Sequence, residues 1–135
     1  MNSKSSPEVP VAELPQELSC YLLLIQDLLN EKGYVRGVEL AERLQMSRPT
    51  VTRAMQRLAA LGYAFYERYR GLTLSPAGVE AATKARARFD VIFNFLEKTG
   101  ATLSNQQLEA RRLESYASDE LVEAFRLATQ KIESA

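Results

Sequence analysis

The chain has no histidine and a single cysteine, Cys20, in 135 residues. Without imidazole, the usual general base near neutral pH is missing. No Gly-rich phosphate loop, nucleophile-and-base pair or carboxylate pair of evident geometry replaces it, so an enzyme and a bound cofactor are not expected. The lone Cys20 cannot close an intramolecular disulfide, which agrees with a reducing cytoplasm. Long apolar runs are missing too. Nowhere do about 18 consecutive apolar residues occur, and the start, MNSKSSPEVPVAELP, has no apolar signal core, so neither a membrane span nor secretion is expected. Charge of either sign is not in excess: 17 Lys and Arg balance 17 Asp and Glu in a chain that is 46% hydrophobic and 25% charged. That composition is ordinary for a globular protein with one core and room for a small second one.

The zero net charge conceals a segregation, and nucleic acid responds to a local patch rather than to the sum. Residues 1–31 carry one basic and five acidic residues, whereas residues 32–75 carry eight basic (Lys32, Arg36, Arg43, Arg48, Arg53, Arg57, Arg68, Arg70) and three acidic. Residues 76–135 are nearly balanced, with eight basic and nine acidic. A charge cluster is often no more than a solvated face. Here seven of the eight cations are Arg, whose planar fork suits phosphate and guanine.

The positive excess coincides with a pattern. In VELAERLQMSRPTVTRAMQRLAALG (Val38 to Gly62), Leu40, Ala41 and Leu44 fall on one helical face, and Val51, Met55, Leu58 and Leu61 on another. Between them stands Ser47, a helix cap, followed by Pro49 in a first turn where proline removes no helical hydrogen bond. The far face of the second helix is left to Arg48, Thr52, Arg53, Gln56 and Arg57. This is the layout of a DNA-binding helix-turn-helix whose recognition helix offers its N-terminal end to base edges.

Upstream, residues 1–13 have no periodicity and read as a flexible arm. Pro15 and QELSCYLLLIQDLLNEKG then predict a helix with a wide apolar stripe (Leu18, Leu22, Ile25, Leu29) stopped by Gly33. Downstream, Tyr63 to Tyr69 and Leu72 to Leu74 predict a hairpin turning at Arg70-Gly71, with Arg68, Tyr69 and Arg70 on the wing of a winged helix. Of Tyr63, Tyr66 and Tyr69, which could stack on nucleic acid, the alternation places at least one or two in the core. Ser75-Pro76 opens a long helix to about Lys98, closed by Gly100. Ser104 with Gln107 predicts a capping box for a helix to about Tyr116, and Ser118 caps a last helix to about Glu133. The fold class is therefore mainly α: a winged helix-turn-helix domain (14–75), then an all-helical domain (76–135). Three apolar helices in so short a stretch suggest a homodimer, which would offer two recognition helices to successive major grooves of double-stranded DNA.

The stretch NEKGYVRGVELAERLQMSRPTVTRAMQRLAALGYAFYERYRGLTLSPAG resembles the DNA-binding domain of the metal-dependent repressors related to the diphtheria toxin repressor, in particular the short manganese transport regulators. KGY, PTVT and YRGLTLSPAG are the most specific parts, and a weaker likeness runs on to about Phe125. The resemblance implies a homodimeric, sequence-specific regulator, usually a repressor, on palindromic operators. It places Arg48, Pro49, Thr50, Thr52 and Arg53 on the recognition helix and Arg70-Gly71 on the wing. Gln56, Arg57 and Arg68 complete the candidate DNA-binding set. The same resemblance implies a metal site, at whose six positions this chain has Cys20, Leu23, Phe89, Arg111, Glu114 and Ser115. Only Glu114 is a residue of the family's ligand set, so metal-independent action is expected.

Each of these residues admits two readings. Arg111 can supply the metal's fixed positive charge by pairing with Glu114 or Asp27, or lie with Arg112 on a solvated face. Phe89 either fills the vacated site or lines a ligand pocket, and Cys20 is either a redox or soft-metal group or a small apolar residue. The acidic run Glu109, Glu114, Asp119, Glu120 and Glu123 could attract a cation, but its positions also suit caps and solvation. The competing functions are a protein-interaction or architectural winged helix without its own operator, and a regulator that senses a non-metal ligand.

Overall fold

A computed structural model describes residues 12–67, 69 and 71–135. A short 3-10 turn, Gln16–Leu18, leads into α1 (Ser19–Lys32), then α2 (Gly37–Leu44), α3 (Arg48–Ala60), β1 (Ala64–Glu67), β2 (Gly71–Leu74), α4 (Pro76–Thr99), α5 (Gln106–Tyr116) and α6 (Asp119–Glu133). This is the expected order of a winged helix followed by a helical unit. Most of the expected arm, residues 1–11, lies outside the described residues, as do Arg68 and Arg70.

α1 is more deeply placed than a one-faced stripe implies. Six consecutive residues, Cys20 to Ile25, are buried, so this part of α1 is apolar on nearly every side, as a helix packed all round must be. It touches two cores. Leu22, Leu24, Ile25 and Leu28 pack with Leu40, Val51, Leu58 and Leu72 of the winged helix, while Leu23 turns to Phe89, Ile92, Ala110 and Val122 of the C-terminal helices. Ala82 and Leu108 join the first core, so α4 and α5 reach back onto the winged helix.

The hairpin is antiparallel, with Ala64 opposite Leu74 and Glu67 opposite Gly71. Its first strand begins one residue later than predicted, because the Tyr63 N–H bonds back to Leu58 O (2.9 Å) in the exit of α3. Gly71 does more than turn the chain. With φ at 73°, it forms a parallel bridge with Val35, and a Cβ there would sit 2.2 Å from Val35 O. Ser75 fastens the junction to α4: its hydroxyl donates to Gly62 O (2.6 Å) and accepts the Gly78 N–H (3.1 Å). The α5 cap is one residue later than predicted. Asn105 Oδ1, not Ser104, accepts the Leu108 N–H (3.1 Å), since Asn caps as well as Ser and the two are adjacent. Among the described residues, no helix is long and apolar enough to cross a membrane.

Candidate nucleic-acid interface and the vestigial metal site

The tight turn between α2 and α3 uses Gln45 in the left-handed region (φ 54°). Ser47 then caps α3, its Oγ accepting the Thr50 N–H (3.2 Å) and its hydroxyl lying 2.8 Å from Thr50 Oγ1. The cap and Pro49 fix where α3 begins and hence which side chains face outward. Val51, Ala54, Met55 and Leu58 are buried, while Arg48, Pro49, Thr52, Arg53, Gln56 and Arg57 are exposed and Thr50 is half-buried. The apolar side anchors the helix and the opposite side is a continuous polar strip with three guanidinium groups. Arg53 reaches only the Thr50 hydroxyl (3.5 Å), so among the described residues no carboxylate holds it. Arg57 is paired with Glu17 (3.1 Å).

Of the three tyrosines, Tyr63 is core, its hydroxyl donating to Ala12 O (2.6 Å), while Tyr66 and Tyr69 are 59% and 85% exposed. The wing cations Arg68 and Arg70 fall outside the described residues. Gly71 is described, and its close approach to Val35 gives it a structural role beside the expected one.

The six positions implied as a metal site come together in the fold, all buried. Cys20 donates its backbone N–H to Ser115 Oγ (3.2 Å). Leu23 and Phe89 share the second core, Phe89 stacks on Phe93 at 5.6 Å, and the Arg111 guanidinium lies 5.2 Å from the Phe89 centroid. Phe89 is therefore packing. Burial pushes the Cys20 thiol above its usual range, which holds it as a neutral, apolar side chain rather than a thiolate. The donor set is one carboxylate, one thiol and one hydroxyl around an arginine; Oε2 of the carboxylate is already engaged, while its Oε1 is buried with no hydrogen-bond partner. Such a set does not fit a divalent cation.

Ion pairs occupy the space instead. Arg111 Nη2 donates to Asp27 Oδ2 (2.8 Å), and Arg86 of α4 holds the other oxygen of Asp27. Asp27 thus joins α1 to α4 and α5. Glu114, the other partner considered for Arg111, is held by different groups: the Ser19 hydroxyl (2.7 Å) and Arg88 Nε (3.4 Å). Arg88 also donates to Glu114 O (2.9 Å), to Ala117 O and to Asp119 (2.6 Å). Sequence reasoning singled out Arg111 but missed Arg86, Arg88 and Ser19. The acidic run does not gather into a cation site among the described residues: Asp119 shares Arg88 with Glu114, Glu123 goes to Arg126 and Glu109 towards Arg112.

Comparison with known proteins matches residues 13–72 to the iron dependent repressor N-terminal DNA binding domain. The transcriptional regulator MntR of Escherichia coli O6:H1 is 38% identical over 111 residues, covering 82% of this chain and 72% of that protein. The chain belongs to the metal-dependent repressor family, of the manganese transport regulator type. The MntR regulator of Geobacillus thermodenitrificans is 31% identical over 121 residues, covering 84% of this chain and 86% of that one. Among solved structures, the manganese regulator SloR superposes with a TM-score of 0.69 at 23% identity, over 84% of this chain and 53% of that chain. IdeR of T. acidophilum does so with a TM-score of 0.68 at 21% identity, over 90% and 55%. This chain thus spans about half the length of those two, and the likeness to them is one of fold. The family is one of transcriptional regulators, not enzymes.

Proposed function

We propose that the chain is a cytoplasmic, homodimeric transcriptional repressor that binds palindromic operators in double-stranded DNA without needing a metal ion. The observation that carries the DNA reading is the exposed strip Arg48, Thr52, Arg53, Gln56 and Arg57 on a helix whose start is fixed by Ser47. An interaction module would not need that strip. The sequence adds Arg68 and Arg70 beside Gly71 as candidate phosphate contacts, which would position the protein without reading sequence. The dimer reading is supported by large apolar side chains left exposed on the C-terminal helices, Leu113, Tyr116, Leu121, Leu127 and Ile132. Sedimentation at micromolar chain concentration decides it.

Metal independence is supported by the buried ion pairs at the vestigial site. A metal sensor must bind its DNA-competent state better when loaded, and a site without metal affinity shifts no equilibrium. The test is selection of bound duplexes from a random-sequence pool, run in chelator and in excess manganese. The same palindrome should emerge in both, with equal affinity. A gain of about tenfold on adding manganese, equivalent to about 1.4 kcal/mol of coupling, would overturn metal independence. No enriched motif in either arm would favour the interaction module.

A further inference from the structure

A cavity of about 330 Å³ lies between α1, α3 and α5. Its apolar lining is formed by Leu18, Cys20, Tyr21, Met46 and Ala54, and three guanidinium groups, Arg53, Arg57 and Arg112, stand around it with Glu17 as the sole carboxylate among the described residues. Glu17 is occupied by Arg57 (3.1 Å). Among the described residues Arg112 has only the half-exposed Glu109 at 4.0 Å, a separation in solvent that contributes little. The lining therefore combines an apolar floor with uncompensated positive charge. It also spans two places of consequence: Cys20 and Ser115 belong to the vestigial metal site, and Thr50, Arg53 and Arg57 to the recognition helix.

We propose that this cavity binds a small amphiphilic monoanion, a carboxylate with an aliphatic or aromatic body of about ten heavy atoms, and that binding releases the protein from DNA. The size follows from the volume, at roughly 30 Å³ for each water-sized group, and lies at the lower end of small-molecule pockets. The body would rest on Leu18, Tyr21, Met46 and Ala54, and the carboxylate would meet Arg53 and Arg112. The coupling arises because DNA and the anion draw on the same guanidinium groups of α3. An anion held by Arg53 removes positive charge from the base-reading face, so each ligand weakens the other by the same factor. This coupling rests on the operator-binding reading above, but occupation of the cavity does not.

Two measurements on the full chain separate the claims. Calorimetric titration without DNA uses octanoate and its uncharged analogue 1-octanol. Octanoate should bind one per chain and octanol about tenfold more weakly or worse; Arg112→Gln should weaken octanoate about tenfold while Arg112→Lys restores part of it. Operator affinity of Arg112→Gln without ligand should stay within about twofold of the parent, since Arg112 lies on α5 and outside the DNA-facing strip. The second measurement titrates the selected duplex at saturating octanoate, where affinity should fall about fivefold or more. No octanoate binding up to about 10 mM, equal binding of octanol, or an unaltered Arg112→Gln would overturn the site. Octanoate binding with unchanged operator affinity would overturn the coupling alone. Failure of the ligand-free chain to bind any duplex would strike the operator reading and leave the calorimetric result standing.

Discussion

Replacing Arg111 with alanine tests whether a guanidinium ties α1 to the C-terminal helices. The residue is 6% exposed, its Nη2 lies 2.8 Å from Asp27 Oδ2, and it packs over the Phe89 ring. Breaking a buried ion pair costs about 3–5 kcal/mol when the surviving charge is stranded. Asp27 is not stranded, because its side chain is 17% exposed and Arg86 still holds it. The expected loss is therefore about 2–3 kcal/mol, part of it the stem packing and the cation–π contact. At about 3–5 °C per kcal/mol for a chain of this size, Tm should fall by roughly 6–15 °C. The comparison needs a fixed chain concentration, since dimerisation makes Tm concentration-dependent. Packing and charge are then separated by two further variants. Arg111→Met keeps the stem, and it also removes the Nη1 group that is buried with no hydrogen-bond partner. It should recover less than half the loss. A double-mutant cycle with Asp27→Asn should give a coupling of about 1–2 kcal/mol. Full recovery by methionine, or a coupling below about 0.5 kcal/mol, would show that apolar packing alone joins the helices and that the charge is incidental.

Arg53→Ala should weaken operator binding by about 1–3 kcal/mol, the size of a lost base contact, whereas Arg70→Ala should weaken all duplexes alike and flatten the salt dependence. Gel-shift series over several salt concentrations read both, and two silent variants would favour the interaction module. Gly78→Ala should cost about 1–3 kcal/mol or more in denaturant melts, because its Cβ would lie 2.0 Å from Tyr63 O in backbone that cannot step aside; an unchanged midpoint would mean that α4 docks less closely than described. Burial raises the Glu114 carboxyl above its ordinary range, though Ser19 and Arg88 pull it back. A raised carboxyl favours the folded state below its unfolded pKa, and that contribution is lost as pH rises through the folded value. Glu114→Gln carries no charge to bury, so its stability relative to the parent should improve from about pH 4 to about pH 7. Parallel stability curves would contradict this.

The DNA-facing half was legible because its signals are local. Ser47 and Pro49 mark the start of α3, and the three-and-four spacing of Val51, Met55 and Leu58 assigns every other side chain to its face. The α5 cap slipped from Ser104 to Asn105 because both residues can cap and no periodicity separates neighbours. Arg86 and Arg88 were illegible for a different reason. Two residues apart on one helix, they point to opposite sides, and in a sequence they look like ordinary surface cations. Only the placing of α4 between α1 and α5 turns one to Asp27 and the other to Glu114. Arg111 was legible because it sits where the resemblance requires a ligand, a clue carried by alignment rather than by local physics.

That substitution has a consequence for control. A metal ion exchanges with solution, so its concentration can set how tightly helices are held, whereas a guanidinium belongs to the chain and is charged at every physiological pH. If Arg86, Arg88 and Arg111 hold α1 against α4 and α5, that orientation answers to no solute, and a ligand without differential affinity for two arrangements cannot move the protein between them. Regulation would then have to act where binding groups remain unsaturated. Among the described residues, Arg53 and Arg112 beside the apolar cavity are solvent-facing groups of that kind, so the metal independence proposed above and a cationic pocket against the recognition helix would be parts of one physical argument.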